Sequence, residues 1–567
     1  MRTLLNRLNS YNGFIGRLIY LVIFLGVLST FFESFGILMF LPVLMSLTGD
    51  EIDNPIIELQ ENLFIYFNVE NNILNIIFLI AILFIFKGIL MYVSLYLSAK
   101  GRGIISVKLR ELIYLKFIKM SFSFFRNENQ ATFINLINEQ VNRAVVSYDF
   151  FTKFIVQLFS GIILFLIAVI MIPRLGIIMI FTGLIIFYGF KSQSKKIDTI
   201  SNSIQKGSID LSNDVSQFLH QFKYLVATHQ RDFFSEKITK QIELLGKNNK
   251  DAGIISGLTS TLREPISILA LLLLILLEVV WFGGALITLF VVILVVYKSV
   301  NYLMSSQYLF QQFTEYSASL DLISNRLNSI EEEKTTSFLN KIDSIEAIEI
   351  KDISFSYGDK PIIQNMSLNM EKGNIYAISG RSGSGKSTFI DILVRINHLN
   401  SGSVFINSIN IDDIDLNSLR SRVGYVTQDN TLFAGTILEN IVGKFLDKKE
   451  INKFKNNKEF IKCIQQSGLA EFLEGERLNN HIGDKAIKIS GGQKQRIMIA
   501  KELYRNIDIL LFDEATSALD IENQQIILDT LVSIKKDLII LIIAHKESNL
   551  KIADYRYNLK NGYLEDV

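Results

Sequence analysis

Apolar residues run in long uninterrupted blocks through the first half of the chain and in short blocks through the second. Before about residue 310 the blocks reach membrane length. After about residue 345 they are brief and separated by clusters of Gly, Asp, Asn and Ser. A bilayer hydrocarbon core about 30 Å thick needs roughly 20 mostly apolar helical residues to cross it. Six candidate spans lie at residues 18–44, 73–97, 154–172, 175–190, 266–282 and 286–301. Several are nearly unbroken, as in "IILFLIAVIMI" and "ILALLLLILL", which argues against a set of buried core helices. The first run is too long for a cleaved signal, and no small-residue cleavage site follows it. Beyond the bilayer, "LRELIYLKFIKMSFSFF" keeps apolar residues at helical spacing, and a turn-prone break follows at "RNENQ", residues 126–130. The spans are therefore expected to continue as long helices that reverse at short ones.

Loop charge orients the spans, because Lys and Arg accumulate on the cytoplasmic side. The first seventeen residues hold Arg2, Arg7 and Arg17 and no acid, whereas residues 48–72 hold Asp50, Glu51, Asp53, Glu58, Glu61 and Glu70 and no Lys or Arg. The stretches 100–153 and 191–263 are long and rich in Lys and Arg. The N-terminus and both long stretches are thus expected in the cytoplasm, with 48–72 outside. Two outer hairpins would be very short, at Pro173-Arg174 and Gly283-Gly284. Six spans return the chain to the cytoplasm, and the expected location is the cell (inner) membrane, multi-pass.

Composition adds mainly exclusions. A net charge of +1 provides no global field for nucleic acid, and the single Cys463 rules out an intramolecular disulfide or a Cys-based metal site. The chain of 567 residues is too long for one domain. The acidic-polar segment "EEEKTTSFLNKIDS" reads as a linker. The expected organisation is a membrane α-helical domain with cytoplasmic helix extensions (1–330), a linker (331–345) and an α/β nucleotide-binding domain (346–567).

The second half carries the chemistry. "IYAISGRSGSGKSTFI" reads as strand, glycine loop, helix, with Gly380, four intervening residues, then Gly385-Lys386-Ser387. Glycines let backbone N–H groups approach phosphates, and a helix N-terminus favours negative charge. Gly380, Ser382, Gly383, Gly385, Lys386, Ser387 and Thr388 are the candidate phosphate-binding residues. Lys386 is expected to reach the β- and γ-phosphates, and the Ser387 hydroxyl to ligate Mg²⁺. "IDILLFDEATSALD" is a buried strand ending in acids. Asp513 is expected to hold Mg²⁺ through water, and Glu514 to polarise the attacking water.

Phosphate loop, "VTQDN", "ISGGQKQR", "LLFDEATSALD" and "IIAHK" follow one another in the order of the ATP-binding cassette (ABC) family. The chain resembles an ABC exporter half-transporter, a six-helix membrane domain fused ahead of one nucleotide-binding domain. The C-terminal motif set is specific, whereas the membrane half is matched mainly by its pattern. The resemblance implies ATP and Mg²⁺ as cofactors. It implies that Tyr357 in "FSYGD" stacks on adenine and that Gln428 contacts Mg²⁺ and the water. It further implies that Asp520 closes the loop after Glu514, and that His545 holds the γ-phosphate. Ser490, Gly491, Gly492 and Gln493 would form the signature. In this family two domains pair head to tail, so the signature of one chain covers the nucleotide of another. A dimer of two identical chains is the implied assembly. Two departures stand out: Ile489 replaces the usual Leu, and Ala486 in "IGDKA" replaces the second glycine of the loop before the signature.

Architecture of this kind resembles exporters and flippases. Glu33 and Pro42 in the first span, and an outer segment 55–67 with Ile56, Leu59, Leu63 and Phe67 on one helical face, resemble lipid-linked oligosaccharide flippases. An amphipathic, lipid-linked glycan is the expected substrate, with membrane lipids as surroundings; export of a peptide, lipid or drug-like molecule stays open. The chain shows no peptidase domain before the first span, which speaks against leader-peptide cleavage. A soluble ABC ATPase is at odds with six spans; a non-transporting channel or regulator is not. Glu33, Lys87, Glu278 and Lys298 fall inside spans, where an ionisable residue is costly. Counting depth suggests a Glu278–Lys298 pair. The alternatives are that Lys87 and Lys298 attract an anionic head group, or that a misplaced lysine snorkels to an interface.

Overall fold

The computed structural model describes all residues except 1, 49–54, 172, 278–285, 334–339, 428–431, 456, 474–476, 483–488, 514–520 and 545–549. The chain divides into two compact units, Met1–Glu332 and Glu333–Val567.

The first unit is helical. Its longest helices, Ile73–Ile118, Pro173–His220, Arg231–Leu277 and Leu286–Ser329, run for 46, 48, 47 and 44 residues. At 1.5 Å per residue each is roughly 66–72 Å long, more than twice a bilayer core. This matches the expectation of helices extending past the membrane. Among the described residues four stretches are long and apolar enough to cross a membrane, namely Leu18–Met45, Ile73–Ile118, Gln130–Met171 and Phe290–Ser329. The fourth candidate span falls in Pro173–His220 and residues 266–277 of the fifth in Arg231–Leu277, where many side chains lie outside the described set; residues 278–282 of the fifth are also outside it. The break expected at 126–130 is present. Helix Phe122–Arg126, capped by Ser121, is followed by Gln130–Asn135, capped by Asn129.

Where lipid replaces water, helices associate through small residues and hydrogen bonds. Thr30 and Ser160 hydroxyls meet at 2.5 Å, Ser94 donates to the Val22 carbonyl at 2.8 Å, and Ser299 to that of Gly161 at 3.0 Å. Apolar packing is concentrated in two clusters, one around Tyr11, Tyr148 and Phe151 and one around Leu41, Leu164, Val291 and Val295.

The outer segment forms helix Pro55–Tyr66. Phe67, expected on its apolar face, is excluded from it. Asn68 takes a left-handed conformation (φ 55°), its N–H bonds Ile65 O at 3.1 Å, and the Val69 N–H bonds Phe64 O at 2.8 Å. That pair of bonds closes the helix one residue earlier and leaves Phe67 67 % exposed. Phe64 and Gln60 are buried, and the side chains of Ile56, Leu59 and Leu63 lie outside the described set.

The second unit contains two sheets. The smaller is antiparallel, ordered β2-β1-β4-β5, from β1 (Ala347–Tyr357), β2 (Lys360–Glu371), β4 (Ser401–Ile406) and β5 (Ile409–Asn410). The larger is ordered β10-β9-β3-β8-β7-β6, from β3 (Ile375–Ser379), β6 (Val423–Val426), β7 (Ile509–Asp513), β8 (Ile539–Ile543), β9 (Tyr555–Lys560) and β10 (Tyr563–Asp566). Only β9–β10 is antiparallel in it. β7 and β8 are buried at every position, which is why they read as continuous apolar runs. Ile378 and Asp513 both lie opposite Ile543 in the ladders, so β3 and β7 end level at one edge. Ligands bind at that carboxyl edge in open α/β sheets. The acidic linker segment is anchored at its start: the Glu331 carbonyl accepts from Ser121 N–H at 2.8 Å within the first unit, and Glu333 makes a two-pronged bond to Arg420 within the second.

Candidate nucleotide site

β3 delivers the chain into the loop 380–385, and helix Lys386–Leu393 follows at once. Two glycines are demanded here. Gly380 has φ 153°, and a Cβ on it would stand 2.5 Å from Leu559 O. Gly385 has φ 106°, and a Cβ would stand 2.8 Å from Ile362 Cγ2. The helix starts at Gly385, which has no side chain to cap it, and a helix start of this kind favours an anion. The Ser384 hydroxyl is buried there without a hydrogen-bond partner among the described residues, a polar atom that suits a phosphate oxygen. Ser382 is exposed and Thr388 half-buried on this loop and helix.

Lys386 is 4 % exposed and donates to the carbonyls of Gly380 (2.9 Å) and Arg381 (3.0 Å). Its ammonium is therefore held over the loop it is expected to serve. The Ser387 hydroxyl donates to Asp513 Oδ2 at 3.3 Å. The two expected Mg²⁺ residues thus come together from a helix start and a strand end, and they are the hard oxygen donors that Mg²⁺ prefers.

Sequence reasoning missed Tyr425. Its hydroxyl also donates to Asp513 Oδ2 at 3.3 Å, from β6. Burial, then the charge of Asp513, pushes its phenol well above the usual range, so it stays a donor. The signal was its place on the strand leading into "VTQDN".

Tyr357 ends β1 beside the loop. It is paired with Lys360 across the β1–β2 hairpin, the strand of which carries Ile362 up to Gly385. Its hydroxyl accepts from Asn397 Nδ2 at 3.0 Å, and Phe355 meets its ring edge-on at 4.8 Å.

Ser490 caps a second helix, Gly491–Tyr504. Its Oγ accepts from Gln493 N–H at 3.3 Å, and Gln493 Oε1 accepts from Ser490 N–H at 3.1 Å. Gly491 is exposed and Gly492 buried. A serine hydroxyl that accepts in this way keeps its own proton to donate. Gln428, Glu514, Asp520 and His545 lie outside the described residues, as does Ala486.

Residues 19–312 match the ABC transporter transmembrane region, and residues 363–517 match the family described as ABC transporter. Two proteins of Staphylococcus aureus, from strains NCTC 8325 / PS 47 and COL, are each 38 % identical over 227 residues, covering 39 % of this chain; both are described as "Putative multidrug export ATP-binding/permease protein". The match spans 38 % of the length of these curated relatives. Among solved structures, a bacterial Atm1-family ABC exporter with ATP bound superposes with a TM-score of 0.79 at 19 % identity, over 97 % of this chain and 94 % of the other. That likeness establishes the fold.

Proposed function

This chain belongs to the ABC transporter family, and from that premise we propose that it hydrolyses ATP to move an amphipathic molecule outward across the cell membrane. One observation supports this most. An uncapped helix start, its buried lysine and the Ser387–Asp513 pair meet at one sheet edge, in a chain whose other unit is made of membrane-length apolar helices.

In this reading the N–H groups from Gly383 to Thr388 cradle the β- and γ-phosphates, and Lys386 swings from the loop carbonyls onto them. Ser387 and Asp513 would hold Mg²⁺, which when bound neutralises phosphate charge. Tyr425 fixes the Asp513 carboxylate by donating to it. Glu514 orients the attacking water, with Gln428 and His545 at the γ-phosphate, Asp520 behind Glu514 and Tyr357 against adenine. A second chain, arranged head to tail, supplies Ser490, whose free proton meets the γ-phosphate. ATP then holds the two chains together until hydrolysis releases them, and the membrane helices alternate in access.

A lipid-linked glycan is the substrate favoured by Glu33 in the first span and by helix Pro55–Tyr66. A drug-like amphipath fits the relatives' descriptions at least as well. The test is ATP-driven uptake into inside-out vesicles across a panel of lipid-linked glycans, lipids, peptides and dyes. Glu514→Gln is expected to bind ATP and stop turnover. Near-normal turnover in that variant, or no ATP-dependent uptake of any probe by the wild type, overturns the reading.

A further inference from the structure

Glu33 is 1 % exposed in the middle of the first span. The expected partner of Lys298 was Glu278, which lies outside the described residues; Lys298 instead pairs with Glu33 Oε1. Lys87 Nζ stands 2.9 Å from Oε2, and the Tyr302 hydroxyl donates to the same oxygen at 2.7 Å. Three helices meet at this carboxylate. Counted from Met45, Ile73 and Leu286, the ends on the same side of the membrane, Glu33, Lys87 and Lys298 lie about 18, 21 and 18 Å deep by the helix rise. They share one level near the bilayer centre.

The charges there do not balance. Two ammonium groups face one carboxylate, and 2 − 1 leaves +1. Among the described residues of the six spans no other Asp, Glu, Lys or Arg occurs. Exposure is also one-sided: the Glu33 side chain is 2 % exposed, those of Lys87 and Lys298 28 % and 38 %. The carboxylate is sealed in, and the lysines form the accessible edge. Each ammonium has three donors, and Glu33 takes only part of them. An uncompensated cation at this depth is costly unless an anion completes it.

We propose that Glu33, Lys87, Lys298 and Tyr302 form an anion-recognition site in the membrane unit. Glu33, held by the Tyr302 hydroxyl, keeps the two lysines side by side, and the remaining ammonium donors take up the phosphate or carboxylate of the transported amphipath. The proposal rests on the export reading and names the substrate class as anionic.

The test measures binding without ATP, on protein in phosphatidylcholine nanodiscs. Four probes share one chain: dodecyl phosphate, dodecanoate, dodecyl maltoside and dodecyltrimethylammonium. At least one anionic probe is expected to bind about tenfold more tightly than the neutral and cationic ones, the scale of one charge-assisted hydrogen bond. The tighter of the two anions identifies the group. Lys87→Gln and Lys298→Gln are each expected to weaken it about tenfold. Either variant leaves Glu33 one ammonium and Tyr302, so folding is retained, as thermal unfolding will show. Lys298→Arg is expected to keep most of the affinity. The site is overturned if both Gln variants bind the anion as the wild type does, or if dodecyl maltoside binds equally well. It is also overturned if Glu278→Gln tightens anion binding about tenfold, because Glu278 would then already neutralise the second ammonium. Lysine-dependent binding with no ATP-driven movement of any probe would keep the site and overturn export.

Discussion

Helix Lys386–Leu393 and helix Gly491–Tyr504 both start from glycine-rich loops, yet their first turns are satisfied in opposite ways. The first begins at a left-handed glycine with no side-chain cap. The second begins at Ser490, which closes a reciprocal box with Gln493. An uncapped start leaves N–H groups for a ligand; a capped start has met much of its own need. The difference teaches why one nucleotide site would use two such loops. The uncapped start can bind phosphate by itself. The capped one presents an exposed serine that keeps its own proton to donate.

The largest effect that would test this contrast is on turnover. Lys386→Ala should abolish both binding of a fluorescent ATP analogue and phosphate release, the latter by about 10²-fold or more, as for loss of one preorganised donor to a developing charge. Ser490→Arg should keep analogue binding and lose phosphate release. Mixing the two variants should restore at most one competent site per mixed dimer. Full activity in the Ser490→Arg protein alone breaks the contrast.

The two starts were readable because their chemistry is local. A strand, a loop with Gly at fixed offsets and a helix need few neighbours to be recognised, and Ser490 three residues before Gln493 is a capping pattern in one line of sequence. Asp513 was readable because a strand of pure Ile, Leu and Phe ends on it. The Glu33 cluster was less readable. Depth counting paired Lys298 with Glu278 and did not reach Glu33, because which helices touch is decided by small residues such as Ser160, Ser299 and Gly161 packing at a distance in sequence. Phe67 was misplaced for a different reason. Spacing alone continued the helix, while Asn68 had the left-handed tolerance to stop it. Tyr425 looked like one more strand residue until β6 lay beside β7.

A smaller effect sharpens the comparison through stability. Gly385→Ala forces a side chain into a left-handed position against Ile362 and should cost about 1–3 kcal/mol locally. Ser490→Ala removes an exposed cap and should cost about 1 kcal/mol. Hydrogen exchange in the full chain separates them. The Phe389 amide, bonded to Gly385 O at 2.9 Å, should lose protection in the first variant, and the Gln493 amide in the second. Equal losses would mean that the glycine start is not the more constrained.

The smallest expected effect comes from a third helix start, which carries the same box with a charged closing residue. Thr436 caps helix Ile437–Val442, and Glu439 takes the place that Gln493 has after Ser490. Glu439 Oε2 accepts from Thr436 N–H at 2.8 Å and from its hydroxyl at 2.9 Å, and Oε1 accepts from Leu446 N–H at 3.2 Å. The Thr436 backbone bond, with burial opposing it, holds the carboxyl below its ordinary value of 4.5. A depressed acid stabilises the fold fully above its unfolded value and loses that contribution as pH falls through its folded value. Protection of the Glu439 amide, corrected for intrinsic exchange, should therefore fall from pH 5 to pH 3.5, by an amount on the order of a few tenths of a kcal/mol up to 1 kcal/mol for a partly exposed cap. The Gln493 amide has a neutral box and should not follow. Glu439→Gln makes the two boxes chemically alike and should remove the pH dependence at Glu439 while leaving the helix formed. If the Gln493 amide loses protection in parallel over that range, the cause is general acid unfolding, and the difference between a charged and a neutral closing residue carries no weight in this fold.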